Sequence, residues 1–201
     1  MANCKLTKSL DNKQCEYAIA GARDLYLLNF HGAAIVTEAP AQPSDNQITY
    51  VIDADGFITE IIPPAGEAFY KVQGATGTIS WSDALLQGGN GGKYRQHTVN
   101  AVLNQYDRDV LDEGDALSLG KFVAVVVDNA GRAVVLGRTS GLSATANGFD
   151  YNSGAAEADA TGWTIVLQGT SMEIGPLLLN EGVIDPVQED TVIDDGDEES
   201  A

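Results

Sequence analysis

His31, His97, Cys4 and Cys15 are the side chains best suited to acid–base or metal chemistry, and their spacing argues against both. A zinc site needs four ligands at short, regular intervals, and the chain has neither a CxxC nor an HxxxH spacing. The two cysteines read as reduced thiols, although oxidation after release would close a short loop between them. His31, in LNFHGAA, reads as the end of a strand, and His97 falls on a segment that alternates polar and apolar residues; both read as structural. Asp53-Ala54-Asp55-Gly56 is similar to the start of a calcium loop. Its glycine stands at the fourth position, however, and no glutamate follows at the twelfth, so turn chemistry explains it better. Asp112-Glu113-Gly114-Asp115 reads as a solvated helix face or break. No GxSxG elbow, HExxH pair, Walker loop or EF-hand loop occurs. We therefore expect no catalytic residues, no metal, no cofactor and no enzymatic activity.

The elements around these residues are strands. With 22 glycines spaced between short β-branched runs, 201 residues point to a mainly β fold with many tight turns. Phe122–Val127 and Arg132–Leu136 flank Asp128-Asn129-Ala130-Gly131, which reads as a hairpin over 121–136. Its apolar face is expected in the core and its turn at a surface. Ile48–Ile52 and Phe57–Ile62 flank Asp53–Gly56 and read as a second hairpin over 48–62, ended by Pro63-Pro64. Further strands are expected at Asp24–Phe30, Glu67–Val72, Thr76–Trp81, Tyr94–Leu103, Trp163–Gln168 and Leu177–Leu179. In Tyr94–Leu103 the residues Arg95, His97, Val99, Ala101 and Leu103 alternate with Gln96, Thr98, Asn100 and Val102, a two-faced pattern. The best helix candidate is 106–119, whose rough stripe of Val110, Leu111 and Leu117 is broken by Gly114. Residues 39–46 and 145–160 read as loops, the latter with one short strand at most. Gly88-Gly89-Asn90-Gly91-Gly92 reads as a loop tip, and no GK[ST] follows it to make a phosphate loop.

The division expected is an N-terminal arm at 1–22, a single β-rich domain at 23–184 and an acidic, disordered tail at 185–201. No apolar run long enough for a membrane helix and no apolar leader is present. Net charge is −18, and removing the seven acids of 189–199 still leaves about −11. Nucleic-acid binding needs clustered Lys and Arg to displace counterions, and beyond Arg138 there is neither. Residues 1–23 run the other way, with Lys5, Lys8, Lys13 and Arg23 against Asp11 and Glu16.

The order of elements is itself a signal. A two-faced strand leads into a segment containing Tyr106-Asp107-Arg108-Asp109, then the KFVAVVVDNAGRAVVLG hairpin, then Gly141-Leu142. Asn152-Ser153-Gly154 and the strand opening Thr161-Gly162-Trp163-Thr164-Ile165-Val166-Leu167 follow. With Cys4, Cys15 and Leu25-Tyr26-Leu27-Leu28-Asn29 near the start, this succession resembles tail-tube-like virion structural proteins of tailed phages and prophages of Bacteroidetes. The resemblance implies an antiparallel β-sandwich or half-barrel with one short flanking helix. It also implies a homo-oligomer of stacked rings, usually hexameric in such families, around an acidic lumen that passes DNA without specific binding. Its location would be the virion, after assembly in the bacterial host cytoplasm, with other tail proteins as partners and no membrane. Candidate subunit contacts are Lys5, Lys8, Lys13 and Arg23 on the arm and Gly88, Gly89, Asn90, Gly91 and Gly92 on the loop. A capsid decoration, head fibre or head–tail connector protein is the alternative reading.

Overall fold

The computed structural model describes residues 19–75, 77–104, 106, 108–156, 161–180, 182 and 184. The first strands are β1 (Ala22–Asn29), β2 (Ala33–Val36), β3 (Ile48–Ile52), β4 (Ile58–Ile62) and β5 (Tyr70–Val72). After them come β6 (Ser80–Gln87) and β7 (Lys93–Leu103), two short helices, α1 (Arg108–Asp112) and α2 (Gly114–Leu119), and then β8 (Phe122–Asp128) and β9 (Ala133–Leu136). The last strands are β10 (Ser143–Asn152), β11 (Gly162–Ser171) and β12 (Leu177–Leu178). They form an eight-stranded sheet in the order β2-β3-β4-β12-β9-β8-β1-β5 and a four-stranded sheet in the order β10-β11-β7-β6. The fold is mainly β, with helix confined to one flank, as expected.

Both sequence-predicted hairpins form: β3 pairs with β4, and β8 with β9, antiparallel. One turn geometry closes them and the β6–β7 hairpin too. In each, the first residue's amide donates to the carbonyl four residues on, and the fourth residue's amide donates back to the first carbonyl. The pairs are Asp53/Phe57, Gly88/Gly92 and Asp128/Arg132. This is a type I turn followed by a residue in the left-handed region, filled here by Gly56, Gly91 and Gly131 at φ +90°, +81° and +79°. Asp53 Oδ1 accepts from the Asp55 and Phe57 amides, and Asp128 Oδ1 from those of Ala130 and Arg132. Asp53–Gly56 is therefore a turn, as its sequence suggested.

The β8–β9 hairpin departs from expectation in its depth. All seven residues of β8 and all four of β9 are buried, on both faces. Phe122, Ala124, Val126, Val134 and Leu136 meet Val99, Ala101, Ile165 and Leu167 of the smaller sheet in one core. Val123, Val125, Val127, Ala133 and Val135 meet Ile48, Tyr50, Ile58 and Ile61 in another. Because β3 and β4 belong to the same sheet as β8, that sheet must curl over its own face. The continuous apolar run supplies both cores at once, as buried strands do. Each fully buried valine contributes about 1.5–3 kcal/mol of transfer free energy, an upper estimate.

Other departures have local causes. The larger sheet is mixed: β2 runs parallel to β3, and β12 parallel to β4. Neither pair is a hairpin, so neither is forced to be antiparallel. The strand expected at 67–72 shrinks to β5, and the one expected at 76–81 shifts to β6, because Gly77 (φ +76°) turns the chain before Ser80. Within 145–160, read as loop with one short strand at most, the chain up to Asn152 belongs to the ten-residue β10, which pairs with β11 on both sides of a bulge between Ala144 and Phe149, where Asn147 takes φ 122°. β2, four residues long, was likewise not anticipated as a strand. Over 106–119 the helix divides at Glu113, none of its residues is fully buried, and of the expected stripe only Leu117 packs on the core. Ala22 opens β1 and is buried, so the domain includes it. Among the described residues, no helix is long and apolar enough to cross a membrane.

Candidate functional site

The register of the β6–β7 hairpin builds a buried polar cluster. Asp83 on β6 stands opposite His97 on β7, and Arg95 lies one pleat along the same face. Arg95 Nε donates to Asp83 Oδ1 at 2.5 Å, and its Nη2 donates to the Asp83 carbonyl at 3.0 Å. His97 Nδ1 accepts from the Gly137 amide at 3.3 Å, which leaves the proton on Nε2, 3.6 Å from Asp83 Oδ1. Beyond β11 the chain crosses from the smaller sheet to the larger one through residues 172–176 and delivers β12. This strap is fastened to the cluster twice: the Gly175 amide donates to Asp83 Oδ2 at 3.1 Å, and Glu173 takes a bidentate pair from Arg138. Arg138 also lies over the Tyr50 ring, 5.7 Å from its centroid.

The electrostatics are those of a closed structural clasp. His97 is 1% exposed. Burial pushes its pKa below the ordinary value, against the opposing pull of Asp83 and Glu173, so the ring is neutral. Tyr50 is raised, again chiefly by burial. With His97 neutral, Asp83 and Glu173 balance Arg95 and Arg138. The buried Tyr50 hydroxyl, His97 Nε2 and Arg138 Nη1 lack hydrogen-bond partners. The buried Ser171 hydroxyl accepts from the Glu173 amide and lies 3.5 Å from the Thr139 hydroxyl. The cluster thus combines buried His97 and Asp83 with partly exposed Arg95 and Glu173. It ties the two sheets and the strap together.

Sequence reasoning set Arg95 and His97 on the same parity as Val99 and Ala101, and a charged pair on an apolar parity was the available signal. Their partner Asp83 lay in a stretch not read as strand, so the register that joins them was missing. His31 sits elsewhere, its Nε2 donating at 3.0 Å to Glu67, which also accepts from Asn29. Among the described residues, no group of three or more His, Cys, Asp and Glu side chains is placed to hold a metal.

Among the described residues, the candidate contact residues lie apart. Arg23, on β1, pairs with Asp24 at 2.8 Å. The Ala22 amide beside it donates to the Ile79 carbonyl, just before β6. Gly88, Gly89, Asn90, Gly91 and Gly92 form the turn at the other end of β6, about 26 Å away for eight residues of strand. Lys5, Lys8, Lys13, Cys4, Cys15 and the acidic tail lie outside the described residues.

The other face of the smaller sheet is chemically distinct. By alternation its strands present Ser80, Ser82, Gln96, Thr98, Asn100, Thr164, Gln168 and Thr170 together with Ala84, Leu86, Tyr94, Val102 and Val166, with Asp150 at the rim; these strands place no Lys or Arg on this face, and Lys121 lies beside Gln96, Gln168 and Thr170. Gln168 bonds Thr98 at 3.2 Å and Asn100 bonds Ser80 at 3.3 Å across the strands. In comparisons with known proteins the chain matches no family model, no curated protein and no solved structure.

Proposed function

We propose that this chain is a phage virion structural protein, a tail tube protein that assembles into stacked, six-membered rings around an acidic lumen through which DNA passes. The observation that carries the reading is the four-stranded sheet, whose outer face is rich in hydroxyls and amides and receives no Lys or Arg from its own strands. Sheets with free edges need neighbours to cover them, and ring closure supplies neighbours. A lumen lined chiefly by hydroxyls and amides, with no cluster of Lys and Arg to displace the counterions of DNA, lets DNA slide without gripping. The net charge of −18 supports the same reading. The buried clasp gives each subunit rigidity and has no chemistry of its own in this role. The partners are copies of the chain and other tail proteins, and the location is the virion.

Antibody labelling of phage particles that carry this chain tests the reading. Gold along the tail after partial disassembly is the expected result. Gold on the head surface would replace it with a capsid decoration role, and gold at the neck with a connector.

A further inference from the structure

We infer that the free edge of β6 is a self-association site, where a second copy of this chain adds its own β6 antiparallel about a two-fold axis at Leu85. The contact stands whether or not the chain forms rings. Four strands end the two sheets, and three of them are poor templates. β2 has four residues and β5 three, and β10 is interrupted by the bulge at Ala144–Phe149. β6 pairs without a register shift from Ser80 to Gln87 on its β7 side, while among the described residues its other side has no strand. It carries no Pro, Lys or Arg, the residues that blunt an edge. Its one inward charge, Asp83, is already neutralised by Arg95. The edge that best matches it in length and regularity is another β6.

The side chains choose the register. Leu85 is 58% exposed although it points to the apolar side of its sheet. Met172 and Ile174, 93% and 68% exposed, ride on the strap that Gly175 fastens to Asp83, two residues from Leu85. Pairing Leu85 with its own copy sets Asp83 opposite Gln87 and Ala84 opposite Leu86. It gathers the apolar side chains of both copies about the axis. A register one pleat away would set Asp83 directly opposite Asp83, and like charges facing each other across strands are destabilising. The isologous pair closes on itself, as two-fold contacts do, and leaves no β6 edge for further growth.

The test uses the full chain with Cys4 and Cys15 changed to serine. Under mild oxidation Leu85→Cys should give a disulfide-linked dimer, whereas Leu119→Cys, on a side chain 85% exposed, reports random collision and should give little. Leu85→Lys, which sets two ammonium groups on the axis, should weaken the dimer at least about tenfold in sedimentation equilibrium, with an unchanged circular dichroism spectrum. Cross-linking no faster at position 85 than at 119, or a Leu85→Lys protein that associates like the parent, would overturn the inference. Rings seen by microscopy alongside that result would leave the tube reading intact, and a Leu85-linked dimer that never forms rings would do the reverse.

Discussion

The β6–β7 and β8–β9 hairpins share a turn and differ in almost everything else. Both turn on a glycine in the left-handed region. The β8–β9 strands are dry on both faces and held by side-chain burial. β7 buries one face and β6 is at most half-buried, and part of that shared face is a cluster of paired charges. The turn therefore sets that a hairpin forms, while strand composition sets where in the molecule it sits and what holds it. The buried charges also fix the strap, so the more polar hairpin governs how the two sheets are joined.

The largest effect should come from cutting that clasp. Asp83→Ala leaves Arg95 without its carboxylate and the Gly175 amide without an acceptor. Breaking a buried pair from one side destabilises by about 3–5 kcal/mol, read from urea denaturation. Val125→Ala and Val126→Ala, on opposite faces of β8, should each lower stability by about 2 kcal/mol. Equal losses on both faces would confirm that β8 serves two cores. A loss on one face alone would make it an ordinary half-buried strand. If Asp83→Ala proves milder than either valine change, burial rather than charge holds the β6–β7 hairpin.

The same comparison predicts that the pH dependence just below neutrality sits in the polar hairpin, whereas Asp128 in the β8–β9 turn, where burial is outweighed by Arg132 and the carboxyl is held below the usual carboxylate range, acts only at lower pH. The folded pKa of His97 is depressed, so the unfolded chain takes up the proton first. Its contribution is intact above the ordinary value of 6.5 and is lost as pH falls from there toward the folded pKa. His97→Leu should therefore flatten the fall in stability between pH 7 and 5, measured by thermal unfolding. A variant that keeps the parent's slope would assign that slope to other groups. The smallest difference concerns the turns: Gly131→Ala and Gly91→Ala should each lower stability by about 1 kcal/mol, because both impose a left-handed φ on a side chain with open space around it. A large inequality between the two would mean that one turn is held by its strands and the other by its glycine.

What was legible followed from local physics. The Asp-x-x-Gly turns and their β-branched flanks announced two hairpins, because turn chemistry and strand propensity agree there. The same composition did not reveal that β8 is buried twice, since that depends on the larger sheet curling back over β8. β10 was missed because its Gly, Ser and Asn residues suit a bulged edge strand and a loop equally well. The clasp was half visible, in Arg95 and His97 on an apolar parity. It stayed incomplete because Asp83 joins them only through cross-strand register, and Arg138 and Glu173 only through the path of the strap.

Electron microscopy of the purified full chain, over a range of salt and protein concentrations, tests the tube reading most directly. The account predicts annular particles of constant subunit number with a central channel, stacking into short tubes. A preparation that shows no annular particle under any of these conditions would contradict it.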